Sequence, residues 1–267
     1  MSEFFEVEPG VKLHYVVDDF TDPWRPAPTV VMVHGLAEST EAWRGWVPYL
    51  ARSHRVVRMD VRGFGRSTPM PESHAWSMER LLEDIRALVR HLGSDRVHLV
   101  GAKSGGSMVL QLAARDPTLV RSVIAVTPPV VAAAATAPWV ESIERDGVVA
   151  WARSTMAGRL GSAVCAAETD HWVANIQGKT PRSTLLGYLR WVPGLDIREE
   201  VKNIRCPSLI ITTTGSGLRT VGSVKEWQQA LPHSELVVIE GDAWHAAGAY
   251  PDRCGKAAAE FLSRVEA

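Results

Sequence analysis

The sequence predicts an α/β fold, a doubly wound and mostly parallel sheet of eight strands carrying a helical insertion. Three observations point there. Short β-favouring runs alternate with stretches of helical periodicity along most of the chain. The run Thr29-Val30-Val31-Met32-Val33 is continuously apolar, as suits a strand covered on both faces. The alternation then lapses from residue 130 to about 203 and resumes at 208, which reads as an insertion between two strands.

Taken in order, residues 4–7 and 11–17 form a hairpin about Glu8-Pro9-Gly10. A proline-rich loop leads to the strand at 29–33, which ends at His34-Gly35-Leu36. Residues 42–50 suit a short helix around Trp43 and Trp46. The strand at 55–59 runs into Asp60-Val61-Arg62-Gly63-Phe64-Gly65-Arg66-Ser67. Ser77 then caps a helix with Met78, Leu81, Leu82, Ile85, Leu88, Val89 and Leu92 on one face, stopped by Gly93. Strands follow at 97–100 and 122–126, the second halted by Pro128-Pro129. After the insertion come a strand at 208–212, a helix near 224–230, a strand at 235–239 and a last helix at 252–265. The expected division is a core of 1–129 and 204–267 with a helical cap at 130–203. The alanine run at 132–135 is too brief to signal disorder.

Composition narrows the partners. The 267 residues are 46% hydrophobic and 22% charged, with a formal net charge of −1. That balance offers no field for nucleic acid or an anionic membrane, and no apolar run approaches a membrane span. Three scattered cysteines, Cys165, Cys206 and Cys254, argue against a disulfide framework or a zinc site. The N-terminus lacks a basic segment followed by an apolar one, so a cytoplasmic monomer or homodimer is expected. Neither cofactor nor metal is expected, and the partner is a small-molecule substrate. Ten tryptophans stand out, four of them (Trp139, Trp151, Trp172 and Trp191) in the insertion.

The chemistry concentrates at Val97-His98-Leu99-Val100-Gly101-Ala102-Lys103-Ser104-Gly105-Gly106. A buried strand turning abruptly into a helix lifts its turn residue to the carboxyl edge of the sheet. Centred on Gly101 and Gly105 the apex is Lys103; centred on Ala102 and Gly106 it is Ser104.

In element order and in four motifs, the chain resembles the α/β-hydrolase superfamily over nearly its whole length. The motifs are His34-Gly35-Leu36, the Asp60–Ser67 loop, the Gly101–Gly106 elbow, and Gly241-Asp242-Ala243-Trp244-His245. The layout is similar to enol-lactone hydrolases and small carbon–carbon bond hydrolases. The resemblance implies an oxyanion hole from the Leu36 and Ser104 amides. It also implies that His245 is the proton-transfer group and that His34 shapes the oxyanion loop. Two departures stand against it. The serine of Gly-x-Ser-x-Gly falls on Lys103, and the flanking spacing favours that residue as apex. The loops that usually carry the triad acid, 213–219 and 127–129, contain no carboxylate.

An acyl-lysine is an amide, so ester hydrolysis through Lys103 would stall. Burial and the helix N-terminus lower a lysine's pKa, and the neutral amine serves as base or imine-former. The leading expectation is therefore an enzyme acting on a small hydrophobic carbonyl compound through Lys103 and His245, by lyase, retro-aldol, retro-Claisen, decarboxylase or non-classical hydrolase chemistry. One alternative is a serine esterase or lactonase using Ser104 and His245; another is an inactive homologue that binds small molecules. Trp139, Trp151, Trp172, Trp191 and Trp244, with His34, are candidate pocket walls. Asp60 and Arg62 are expected to fix their loop. Surface positions are expected for His74, His171, Asp170 and Glu38, with solvent the default for Arg219.

Overall fold

The computed structural model describes residues 1–131 and 136–267, so the alanine run at 132–135 lies outside the described residues. Among the described residues, eight strands form one sheet: β1 (Ser2–Glu8), β2 (Val11–Asp18), β3 (Thr29–Val33), β4 (Arg55–Met59), β5 (Val97–Ala102), β6 (Val120–Val126), β7 (Ser208–Thr213) and β8 (Ser234–Ile239). Their order is β1-β2-β4-β3-β5-β6-β7-β8. β2 pairs antiparallel with β1 and with β4, and every other pairing is parallel.

The two-residue period of a strand divides the core. Val31 and Val33 point to one face, where Leu81, Leu82, Val109 and Leu112 meet them. Val30 and Met32 point to the other, against Leu50, Phe261 and Leu262. The helix Met78–His91 begins as its sequence suggests, with the Ser77 hydroxyl accepting from the Arg80 amide at 3.2 Å. Gly93 follows its end at φ +67°, a conformation glycine adopts without a Cβ penalty.

Between β6 and β7 the chain is helical: Ala137–Leu160, Ala166–His171, Arg182–Trp191 and Arg198–Val201. The first of these breaks at Gly147, whose φ of 84° is not helical. Ile143, Trp151, Leu185 and Leu189 join the same apolar cluster as the sheet, which fixes the insertion on the carboxyl-edge side of the core.

Close backbone approach sets the strand-to-helix turn after β5. A Cβ on Gly105 would lie 2.2 Å from the Val33 carbonyl oxygen and 2.4 Å from that of His34. Both are backbone atoms that cannot step aside. Gly105→Ala is therefore expected to destabilise the protein by about 3 kcal/mol or more, the upper end of overpacking costs. Urea unfolding measures this, and parent-like stability would mean the helix does not seat so closely.

Candidate functional site

The residue at the turn is Lys103. It follows β5, precedes the helix Ser104–Arg115, and has φ 53° and ψ −125°. Its amide donates to the Val126 carbonyl at 3.0 Å, tying the turn to β6. A positive φ at a side-chain-bearing residue costs on the order of 1–3 kcal/mol and is held by its surroundings. The Nζ donates to the Trp244 carbonyl at 3.1 Å. Burial, then the charge of Arg159, pull this amine down to about 7, against the opposing pull of Glu38. Ser104 is the first residue of that helix.

His245 caps the short helix Ala246–Ala249 and is 1% exposed. Its Nδ1 accepts from the Gly248 amide at 2.9 Å, and its Nε2 lies 2.8 Å from Glu38 Oε1. Trp172 packs edge-on against the ring at 5.5 Å. Among the described residues no hydrogen bond joins His245 to Lys103.

Glu38 departs from its expected surface position. It is 1% exposed, because the loop after β3 folds inward and its Oε2 accepts from the Gly35 amide at 3.0 Å. Oε1 also meets Arg159 Nη1 at 3.2 Å. Burial pushes this carboxyl up, but the His245 and Arg159 contacts outweigh it and hold the group at about 2. A carboxylate thus stands beside His245 although neither usual loop carries one. Asp242 is engaged elsewhere, accepting from the Ser162 amide at 3.0 Å. Asp170 and His171 are exposed and His74 is half-buried, none of them at this site.

Arg159, on the insertion, is the second residue that motif reading passes over. It is 3% exposed, and its Nε has no hydrogen-bond partner among the described residues. Nothing in the local sequence separates it from a surface arginine. For Glu38 the available signal was position, four residues beyond His34 in the loop that approaches the elbow.

Lys103, Ser104, Leu36, Arg159 and Arg219 share a cavity of about 240 Å³, closed by Trp139, Trp244 and Leu189. Trp139 and Trp244 are thus at its wall. The other expected wall residues sit elsewhere. Trp151 is fully buried behind Trp139 at 6.0 Å, Trp172 covers His245, and Trp191 stacks on Trp76 at 6.4 Å. His34 lies under the loop, its Nδ1 donating to the Gly35 carbonyl at 2.7 Å and its Nε2 accepting from the Val61 amide at 3.0 Å. Arg219 lines the cavity, where solvent was the expectation. Asp60 and Arg62 do fix their loops: Asp60 accepts from the Thr40 amide at 2.6 Å, and Arg62 grips Asp84 at 2.6 and 2.8 Å.

This sheet order and elbow coincide with a match of residues 28–247 to the sequence profile described as the alpha/beta hydrolase fold. The chain belongs to the α/β-hydrolase family. Curated relatives of this α/β-hydrolase include bifunctional epoxide hydrolase 2 of Sus scrofa, 33% identical over 46% of this chain and 21% of that protein. Epoxide hydrolase B of Mycobacterium tuberculosis is 31% identical over 45% of this chain and 33% of its own length. The chain therefore spans a fifth to a third of these relatives. Among solved structures, the enol-lactonase of Burkholderia xenovorans superposes with a TM-score of 0.87 at 22% identity, covering 98% of this chain and all of that one. That likeness is one of fold. Among the described residues, no helix of this α/β-hydrolase is long and apolar enough to cross a membrane.

Proposed function

We propose that this α/β-hydrolase is an enzyme for a small, mostly apolar carbonyl compound bearing an anionic group, and that the Lys103 amine stands in for the family's serine. The observation that carries the reading is the cavity itself. A lysine at the strained turn shares it with Arg159, whose buried guanidinium has an unspent donor among the described residues, and with Arg219. Among the described residues, the carboxylate in contact with Arg159 is Glu38, already committed to His245 and the Gly35 amide. A buried arginine with free donors favours a carboxylate or phosphate ligand. Tryptophan, leucine and proline walls favour an apolar body.

In this reading the neutral Nζ adds to the substrate carbonyl carbon, forming a C–N bond. The developing oxyanion faces the amides of Leu36 and Ser104. Neither amide has a hydrogen-bond acceptor among the described residues, so both are available. Loss of water leaves an iminium, which accepts the electron pair of the bond between the carbons α and β to it as that bond breaks; the β-fragment leaves as carbon dioxide, or as an aldehyde or ketone once its hydroxyl gives up a proton, and an enamine remains on Lys103. Protonation of the enamine and hydrolysis release the second product and restore Lys103. The proton transfers are assigned to His245, which stands behind the cavity wall with Glu38 2.8 Å from its Nε2, through an intervening water. The helical insertion acts as the lid, since Trp139, Arg159 and Leu189 come from it.

The serine route has less behind it. Ser104 stands one residue past the turn, and among the described residues no hydrogen bond joins its hydroxyl to His245. A binding protein without turnover would use the same cavity, so ligand class is tested separately from chemistry. Calorimetry with apolar 2-oxo and 3-oxo acids, each paired with its methyl ester, makes the distinction. The acids are expected to bind at least ten times more tightly, roughly the 1.4 kcal/mol of a charge-assisted bond. Equal binding of acid and ester would remove the anionic assignment.

A further inference from the structure

A second cluster of chemistry-bearing side chains lies at the other end of β5 from Lys103, roughly 16 Å away at about 3.3 Å per residue. His98 on β5 and His54 just before β4 both aim Nε2 at one oxygen of Glu266, in the helix Pro251–Glu266. Each nitrogen is 3.0 Å from Glu266 Oε1, and the three potential donor atoms lie within 4.8 Å of one another. The two rings stand nearly perpendicular with centroids 5.8 Å apart. Both histidines are buried, at 2% and 0% exposure.

The outer nitrogens are already held. His54 Nδ1 lies 2.8 Å from Ser53 Oγ, and that hydroxyl donates to the Leu50 carbonyl at 3.3 Å. Where Ser53 Oγ accepts from His54 Nδ1–H, the Nε2 is free to ligate; that Nε2 is also a hydrogen-bond partner of Glu266 Oε1 at 3.0 Å. His98 Nδ1 is likewise 2.7 Å from Ser122 Oγ, while its Nε2 has no in-line hydrogen-bond partner among the described residues. Glu266 Oε1 is thus a hydrogen-bond partner of His54, whereas the buried His98 Nε2 is aimed at the same oxygen with no in-line bond among the described residues, and a cation among the three donor atoms would engage all of them. Bonds of about 2.0–2.1 Å to a tetrahedral zinc ion would hold neighbouring donor atoms about 3.3 Å apart, close to the two nitrogen–oxygen distances of 3.0 Å. Fixing the distal imidazole nitrogen by a hydroxyl is also how metal-binding histidines are oriented.

We propose that His54, His98 and Glu266 form a divalent transition-metal site, best suited to zinc, with water completing the coordination. The nitrogen-rich donor set disfavours magnesium and calcium, which take oxygen ligands. The charges of Arg121 and Arg96 reach His98 and weaken attraction for a cation, and the Glu266 charge offsets them in part. The metal would pin the end of the last helix to β4 and β5. The role is structural, because the site is remote from the elbow, and it uses no cysteine.

The test is a zinc chloride titration of the chelator-stripped full chain against a chromophoric competitor, with cobalt(II) spectra in parallel. One zinc per chain is expected, with cobalt giving the intense visible bands of a tetrahedral complex. Glu266→Gln is isosteric at a side chain 26% exposed, so the fold is not at risk, and it should weaken zinc at least tenfold and abolish those bands. His54→Gln should do the same. Parent-like zinc affinity in Glu266→Gln, or no zinc uptake by the parent, would overturn the site and leave a hydrogen-bonded His–Glu–His anchor.

Discussion

Lys103→Met is expected to remove turnover, by roughly a thousandfold or more because the amine proposed to react is gone, and at the same time to stabilise the protein. The second effect follows from the amine's environment. Folding pulls this amine from its ordinary 10.5 to about 7. Between those values the unfolded chain holds a proton that the folded chain lacks, so stability rises with pH across the window. Below about 7 the folded protein carries the buried ammonium, at a cost whose upper bound is on the order of 5 kcal/mol. Methionine has similar bulk and no charge to bury. Some of the gain is lost because the Trp244 carbonyl loses its donor and the positive φ remains. A net increase of about 1–3 kcal/mol near pH 7 is expected, shrinking as pH climbs toward 10.5. Urea unfolding of both proteins from about pH 6 to 10 measures it. Parallel pH profiles would mean that Lys103 is not held in a desolvated site.

Glu38→Gln should have the opposite sign and the largest stability cost at the site. The amide can still accept from Gly35, but Arg159 and His245 then lose their buried counter-charge. Breaking one partner of a buried ionic group costs about 3–5 kcal/mol. The wild-type carboxyl sits at about 2 when folded against an ordinary 4.5. Its contribution is therefore complete above about 4.5 and fades as pH falls toward 2, on the order of 3 kcal/mol in total. In Glu38→Gln this acid-side loss should disappear from the stability profile. Glu38 also holds the Lys103 amine up, so the variant should shift the lysine titration further down. An unchanged acid limb would show that another carboxylate governs it.

The architecture was legible because it rests on local signals that repeat: apolar strand runs, the Ser77 cap, and small residues around a turn. Lys103 was legible through the spacing of Gly101 and Gly105, the second of which the backbone requires for packing against Val33 and His34. Glu38 was not, because a carboxylate buried by a loop's path looks the same in sequence as one in water. Arg159 was hidden for a related reason: its partner lies 121 positions away in the chain. The tryptophans show the limit of composition. It flagged an aromatic region, yet only the packing separates Trp139 and Trp244 at the cavity from Trp151 behind it. His98 interrupts an apolar strand, and its partners His54 and Glu266 come together only when β4, β5 and the last helix are assembled.

The central claim is that the Lys103 amine is the reacting group, and reductive trapping tests it most directly. The full chain is incubated with apolar oxo acids and borohydride, digested, and mapped by mass spectrometry. A secondary-amine adduct on the Lys103 peptide is expected, with yield rising through about pH 7 as the amine becomes neutral, and no fluorophosphonate label is expected on Ser104. A fluorophosphonate adduct on Ser104, with Lys103 untouched across the oxo-acid series, would contradict Lys103 as the reacting group.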